Sequence, residues 1–178
     1  MVYILAGFLS LLQYQKQYQA QQLPRLMHCL NCGHLKPWRH GGYPRKADRM
    51  NSEDDSLNPI IIQRYYCPDC HKTSSVLPEC IPPRRWYLWE AQQAATLLLL
   101  SGISGRAAEK QVKPSRHTIK HWVAWLIAQF MVCKDALSTH FQSLGLLTEP
   151  VSFWRAVFDK LSLGTAMRLC HVSGVPIP

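Results

Sequence analysis

Acidic residues are scarce in this chain of 178 residues: 11 Asp and Glu stand against 20 Lys and Arg, a formal net charge of +9. That imbalance favours an anionic partner, most simply nucleic acid. Long apolar runs are missing too. "MVYILAGFLSLL" at the N-terminus is shorter than the roughly 20 residues that cross a bilayer. It has no Lys or Arg before it and no small-residue cleavage site, so it makes a poor secretory signal. The expectation is a cytoplasmic chain with no membrane partner, and hence reduced cysteines. Also lacking are a βαβ alternation, a phosphate-binding glycine loop, a nucleophile–base pair and any long internal repeat. Hydrophobic content is 47%, enough for a real core.

What is present divides the chain into four stretches. Residues 1–23 read as an N-terminal apolar helix or arm, plausibly one helix ending before Pro24. Residues 24–83 hold two Cys-x-x-Cys pairs, Cys29/Cys32 and Cys67/Cys70, with 34 residues between them. Within this stretch, residues 47–59 are polar and acidic and predict a surface loop. "IIIQRYY" predicts a strand leading into the second pair. "PECIPPRR" carries three prolines and predicts a non-helical linker. Residues 84–134 turn helical. Leu88, Ala91, Ala95, Leu98 and Leu99 recur at helical spacing, "SGISG" breaks the pattern, and "GRAAEKQV" predicts a short second helix. A long third helix follows over 115–131, with Ile119, Trp122, Val123, Leu126, Ile127 and Phe130 as its apolar stripe. Residues 135–178 carry weaker helical patterns. The expected class is α+β: a small, short-stranded antiparallel β unit followed by a mainly helical one.

Two thiolates two residues apart on a tight turn converge on one metal ion, and two such turns fill a tetrahedron. Cys29, Cys32, Cys67 and Cys70 are therefore the expected ligands of a structural Zn2+, with no coordination position open for catalysis. The gap exceeds the usual ~15–20 residues, and the 47–59 insertion accounts for the excess, since surface loops lengthen at small entropic cost. Gly33 suits the turn after the first pair. Two rivals stand beside this reading: a redox pair, which wants a βαβ context, and a swapped ligand set using His28, His34 or His71. Cys80, Cys133 and Cys170 are expected as small buried or half-buried apolar residues.

The cationic excess sits in the helical middle. Residues 91–134 carry a net +5, whereas 135–178 are neutral. "SGRAAEKQVKPSRHTIKHW" resembles a DNA-binding helix-turn-helix. Ala107 and Ala108 are small where two helices pack. Ser115 is placed to cap the next helix. Thr118, Ile119 and Trp122 follow the spacing of recognition helices. Arg116, His117, Lys120 and His121 then face outward, suited to guanine and phosphate. The turn position usually held by glycine is Lys113, followed by Pro114, which implies a wider turn.

Taken together, "CLNCGHLKPWRHGGYPRK", "RYYCPDCHKTSSVLPECIPPRRWY" and "GISGRAAEKQVKPSRHTIKHW" resemble the N-terminal zinc-ribbon and helix-turn-helix region of bacterial insertion-sequence transposases. They are similar also to a family of short proteins built from the same two parts. The resemblance rests on the Cys pairs, on His40, Gly41, Tyr43 and Arg45, on Tyr66 to Cys70, and on Thr73 to Pro78, and it covers residues 24 to about 128. It implies a non-catalytic, zinc-dependent protein of a mobile element that binds double-stranded DNA. Ser115, Arg116, His117, Lys120 and His121 would serve as readers, with Arg84, Arg85, Arg45 and Lys46 at the backbone. Such transposases carry a ribonuclease-H-like domain with three metal-binding carboxylates. Here about 50 residues follow the third helix, and their acids are Asp135, Glu149 and Asp159. No catalysis is expected. Two other readings are kept. One is a protein-interaction adaptor, or self-association or a transposase partner, using Phe153, Trp154, Val157, Phe158 and Leu161. The other is a truncated transposase remnant, with which the ending "HVSGVPIP" is compatible.

Overall fold

A computed structural model describes residues 1–47, 57–83 and 87–177. The chain folds as two compact units, Met1–Trp86 and Tyr87–Pro178. Among the described residues the architecture is mixed α and β, with a four-stranded sheet in the first unit and eight helices across the two. No described helix is long and apolar enough to cross a membrane.

The first unit is built on β1 (Val2–Leu5), β2 (Trp38–Arg45), β3 (Ile60–Tyr66) and β4 (Thr73–Pro78), in the spatial order β1-β4-β3-β2. β4 runs antiparallel to β3, with Thr73 opposite Tyr66, and parallel to β1, with Ser75 opposite Val2 and Pro78 opposite Leu5. β2 is an antiparallel edge strand whose register shifts between Arg39 and Gly42. The expected single N-terminal helix is instead β1, a turn at Gly7 (φ +82°) and helix α1 (Leu11–Gln19). Only a residue tolerant of left-handed backbone makes that turn easily, and it frees Ser10 to cap α1 by accepting from the Gln13 N–H (3.2 Å). α1 delivers Tyr14 to the sheet. Its hydroxyl accepts from the Gln63 N–H (3.2 Å) and donates to the Val76 carbonyl (3.5 Å), tying β3, β4 and α1 together. With Tyr14, the side chains of Ile60, Ile62, Tyr65, Leu77 and Ile81 are fully buried.

The proline-rich segment is not a free linker. Pro78 ends β4, Ile81 is fully buried, and Glu79 is a buried carboxylate that accepts from the Gly7 N–H (3.0 Å). The Cys80 N–H donates to the Phe8 carbonyl (3.1 Å). The expected 47–59 loop is closed at its base, where the Ala47 N–H donates to Asn58 Oδ1 (3.1 Å); residues 48–56 lie outside the described ones.

The second unit comprises α2 (Trp89–Leu100), α3 (Gly105–Glu109), α4 (Arg116–Ala128), α5 (Phe130–Ser138), α6 (Gln142–Gly145), α7 (Pro150–Lys160) and α8 (Leu163–Val172). Ser104, Ser115 and Ser162 cap α3, α4 and α8 through the N–H three residues on. Ala95, Ala108, Ile119 and Trp122 join α2, α3 and α4 in one small core. A larger one gathers Leu126, Phe130, Leu137, Phe153, Trp154, Val157 and Met167.

Two expectations fail here. The third helix does not run to residue 131: it stops at Ala128, and α5 starts at Phe130. Continuing α4 would give the Leu126 carbonyl the Phe130 N–H. Instead the buried indole N–H of Trp154 takes that carbonyl (2.8 Å). Ile127, assigned to the apolar stripe, is 43% exposed. Second, Phe153, Trp154 and Val157 are fully buried in the chain's own core, so the face considered for a protein partner is already covered.

Candidate metal centre and basic helix face

Each Cys pair opens a turn with the same hydrogen-bond pattern. In the first, the Cys29 N–H donates to the His34 carbonyl (2.8 Å) and the Gly33 N–H to the Cys29 carbonyl (3.0 Å). In the second, the Cys67 N–H donates to Lys72 (3.0 Å) and the His71 N–H to Cys67 (3.0 Å). Both turns place their fifth residue in the left-handed region, Gly33 at φ +76° and His71 at φ +55°. Sequence reasoning found the glycine but not its counterpart, because histidine carries no obvious turn signal.

The turns bring four sulfurs together. Cys29 Sγ lies 3.6 Å from Cys70 Sγ, Cys32 Sγ lies 3.5 Å from Cys67 Sγ, and all four fall within 4.8 Å of one another. A tetrahedron with metal–sulfur bonds of ~2.3 Å has edges near 3.8 Å, so the cluster is compatible with a metal ion. The electrostatics agree. The N–H groups of Cys32 and then Asn31 hold the Cys29 thiol down to about 6. For Cys32, the His34 N–H pulls downward, but burial and the three neighbouring sulfurs push it up to about 12. Four crowded thiolates repel one another, and a bound cation removes that conflict.

Two of the three neighbouring histidines, His34 and His71, are engaged by other side chains, and His28 forms a backbone bridge with Leu35. His34 Nδ1 meets Asp69 Oδ2 at 2.6 Å, and His71 Nδ1 meets the Tyr66 hydroxyl at 2.6 Å. The His34–Asp69 pair joins one turn to the other, as does Lys72 Nζ donating to Asn31 Oδ1 (3.1 Å). Cys80 is half-buried, and burial pushes its thiol up to about 12, which leaves it inert. Cys133 and Cys170 are fully buried partners: the Cys133 thiol is pushed far up, first by its hydrogen bond to Cys170 and then by burial. No spacing signal marks that pairing, which spans 37 positions.

In the second unit, Ile119 and Trp122 face inward, while Ser115, His117, Lys120 and His121 are exposed and Arg116 is half-exposed. Ser115 Oγ accepts from the Thr118 N–H (3.3 Å). Glu109 of α3 accepts from the Arg116 N–H (3.1 Å), a second brace at the start of α4 that sequence reasoning missed. Six residues, 110–115, separate α3 from α4. Of the other cations, Lys46 is exposed, whereas Arg45 is half-buried and donates to the Pro82 carbonyl. Arg84 and Arg85 lie outside the described residues.

Residues 29–122, just over half of the chain, match a family described as a domain of unknown function, DUF6431. The chain belongs to that family. The DUF6431 match begins at the first metal-site cysteine and ends at Trp122, so it takes in all four cysteines and the exposed start of α4. No curated protein and no solved structure matches the chain.

Proposed function

We propose that this protein is a zinc-dependent, non-catalytic reader of duplex DNA belonging to a mobile element. Its first unit is a zinc ribbon and residues 104–128 a helix-turn-helix. One observation carries the reading: the first two turns of α4 present Arg116, His117, Lys120 and His121 outward, while Ile119 and Trp122 anchor the opposite side in the core. A helix anchored in this way can enter a major groove by its N-terminal end. A closed tetrahedron of four thiolates is a donor set that suits structural zinc. The resemblance to transposase N-terminal regions supports the biological setting, and the net +9 charge supports the partner.

Selection from a pool of random duplexes, followed by shift assays, tests this. The protein should enrich a defined site, and binding should fall steeply with salt and be largely lost by about 0.5 M. Arg116→Ala should relax the preference at one base pair by about 5- to 150-fold. Binding that never distinguishes sequences, or that survives high salt undiminished, would refute the reading.

A further inference from the structure

Four rings crowd one exposed corner of the first unit. Trp38 and Tyr66 are directly opposed on β2 and β3, so their side chains share a face, with ring centroids 6.3 Å apart. His40 lies 5.7 Å and His71 6.1 Å from the Tyr66 ring. Trp38 is 59% exposed, and both histidines are exposed. Tryptophan is seldom left in water to this degree, and an exposed aromatic group of this size marks a contact surface. The cluster is also held in place. The Tyr66 hydroxyl is hydrogen-bonded to His71 (2.6 Å), and the next residue, Cys67, belongs to the metal centre.

We propose that Trp38, His40, Tyr66 and His71 form a stacking surface for the unpaired bases of single-stranded DNA. Chemistry selects this occupant over a duplex. The ring spacings exceed the ~3.4 Å rise of stacked bases, so neighbouring rings take neighbouring bases only from an unstacked strand. Base faces inside a duplex are covered on both sides. Charge selects it over an aliphatic protein surface. Around the rings, Lys36, Arg64 and Lys72 stand against a single acid, Asp69, which is paired with His34. Arg64, two residues before Tyr66 on β3, lies on the same face and is the cation placed to meet the backbone of a strand crossing the rings. This surface is independent of α4, so it stands or falls separately from the duplex reading.

Fluorescence anisotropy with the full, metal-loaded chain tests it. Three probes are used: an oligothymidylate of about 12 nucleotides, the same backbone with abasic sites, and a duplex of equal length. Trp38→Ala should weaken the oligothymidylate about 5- to 100-fold, Trp38→Phe about threefold or less, and neither should shift the duplex. The abasic strand should bind the native protein as weakly as the oligothymidylate binds Trp38→Ala. Arg116→Ala should show the reverse pattern, sparing the single strand. Metal content equal to that of the native chain confirms that each variant is folded. Equal binding of the base-bearing and abasic strands overturns the proposal. So does a Trp38→Ala variant that changes only the sedimentation of the protein, which assigns the corner to contacts between copies of the chain.

Discussion

Stripping the metal is the perturbation that bears most directly on the first unit. A metal bound by all four thiolates acts as a cross-link between the two turns, joining residues 41 positions apart at Cys29 and Cys70. By the loop-entropy relation, a closure of that length is worth about 4 kcal/mol, or roughly a thousandfold in the opening equilibrium. The turns have little else to replace it. Beyond their backbone hydrogen bonds, the links between them are the exposed His34–Asp69 pair and the Lys72–Asn31 hydrogen bond, and exposed ion pairs contribute ~0–1 kcal/mol. The non-glycine residues Lys36 (φ +52°) and His71 (φ +55°) also sit in the left-handed region at about 1 kcal/mol each or more. The sheet core of Tyr14, Ile60, Ile62, Tyr65, Leu77 and Ile81 includes no turn residue. Chelation should therefore open the turns first. The amides of Cys29, Gly33, Cys67 and His71 should exchange about a thousandfold faster, and melting of the first unit should fall by about 15–30 °C. The second unit, with its own core, should melt unchanged. Hydrogen exchange by mass spectrometry and calorimetry, each before and after chelation, measure both effects, and Cys32→Ser should mimic them. Purified protein that contains no metal, or whose melting and turn exchange are indifferent to chelation, would refute the argument.

Tyr14→Phe should destabilise the first unit by about 1–3 kcal/mol, because the Gln63 N–H loses its acceptor. It should also remove an alkaline dependence. Burial raises the Tyr14 hydroxyl from 10 to about 12, so its contribution is complete below pH 10 and is lost as pH rises through 12. Over that window the native protein should lose on the order of 2–3 kcal/mol more than the variant, measured by urea unfolding; parallel pH curves would contradict the assignment. Gly42→Ala should cost about 1–3 kcal/mol, since its Cβ would come within 2.6 Å of Ile61 Cγ2 and 3.0 Å of the Ile62 carbonyl. An unchanged denaturation midpoint for Gly42→Ala would show that β2 is not pressed against β3 as described.

The parts of the fold legible in the sequence are those set by local spacing. Two Cys-x-x-Cys pairs announce converging thiolates, and "IIIQRYY" is β3 to the residue. Ser115 is a cap because the hydroxyl and the free N–H groups lie three residues apart. What was illegible depends on partners far along the chain. The stripe Ile119, Trp122, Leu126, Phe130 keeps helical period without interruption, yet the helix breaks at Gln129, where the Leu126 carbonyl is held by Trp154, 28 residues further on. An amphipathic helix such as α7 looks the same in sequence whether its apolar face meets a partner or its own core. Gln92 and Thr96 are buried polar residues that no apolar pattern predicts. They are tolerated because Gln92 Nε2 donates to the Tyr87 carbonyl (3.0 Å) and Thr96 Oγ1 to the Gln92 carbonyl (2.8 Å).

The four-cysteine cluster and the ring corner adjoin through Trp38 and Tyr66. Register in a strand is normally enforced by a buried face, yet β2 has no fully buried residue and shifts register between Arg39 and Gly42. At its far end Arg45 pairs with Ile60, just inside the Ala47–Asn58 hydrogen bond. At its near end Trp38 follows the first turn directly, and its cross-strand partner Tyr66 leads directly into the second. Whatever holds the two turns together therefore sets the spacing of Trp38 and Tyr66, and through Tyr66 that of His71. A closed four-thiolate site does no chemistry, but it can keep an exposed tryptophan aimed. On this reasoning the thiolates need to lie next to the rings rather than in the sheet core, where Tyr14 and the isoleucines already do the holding.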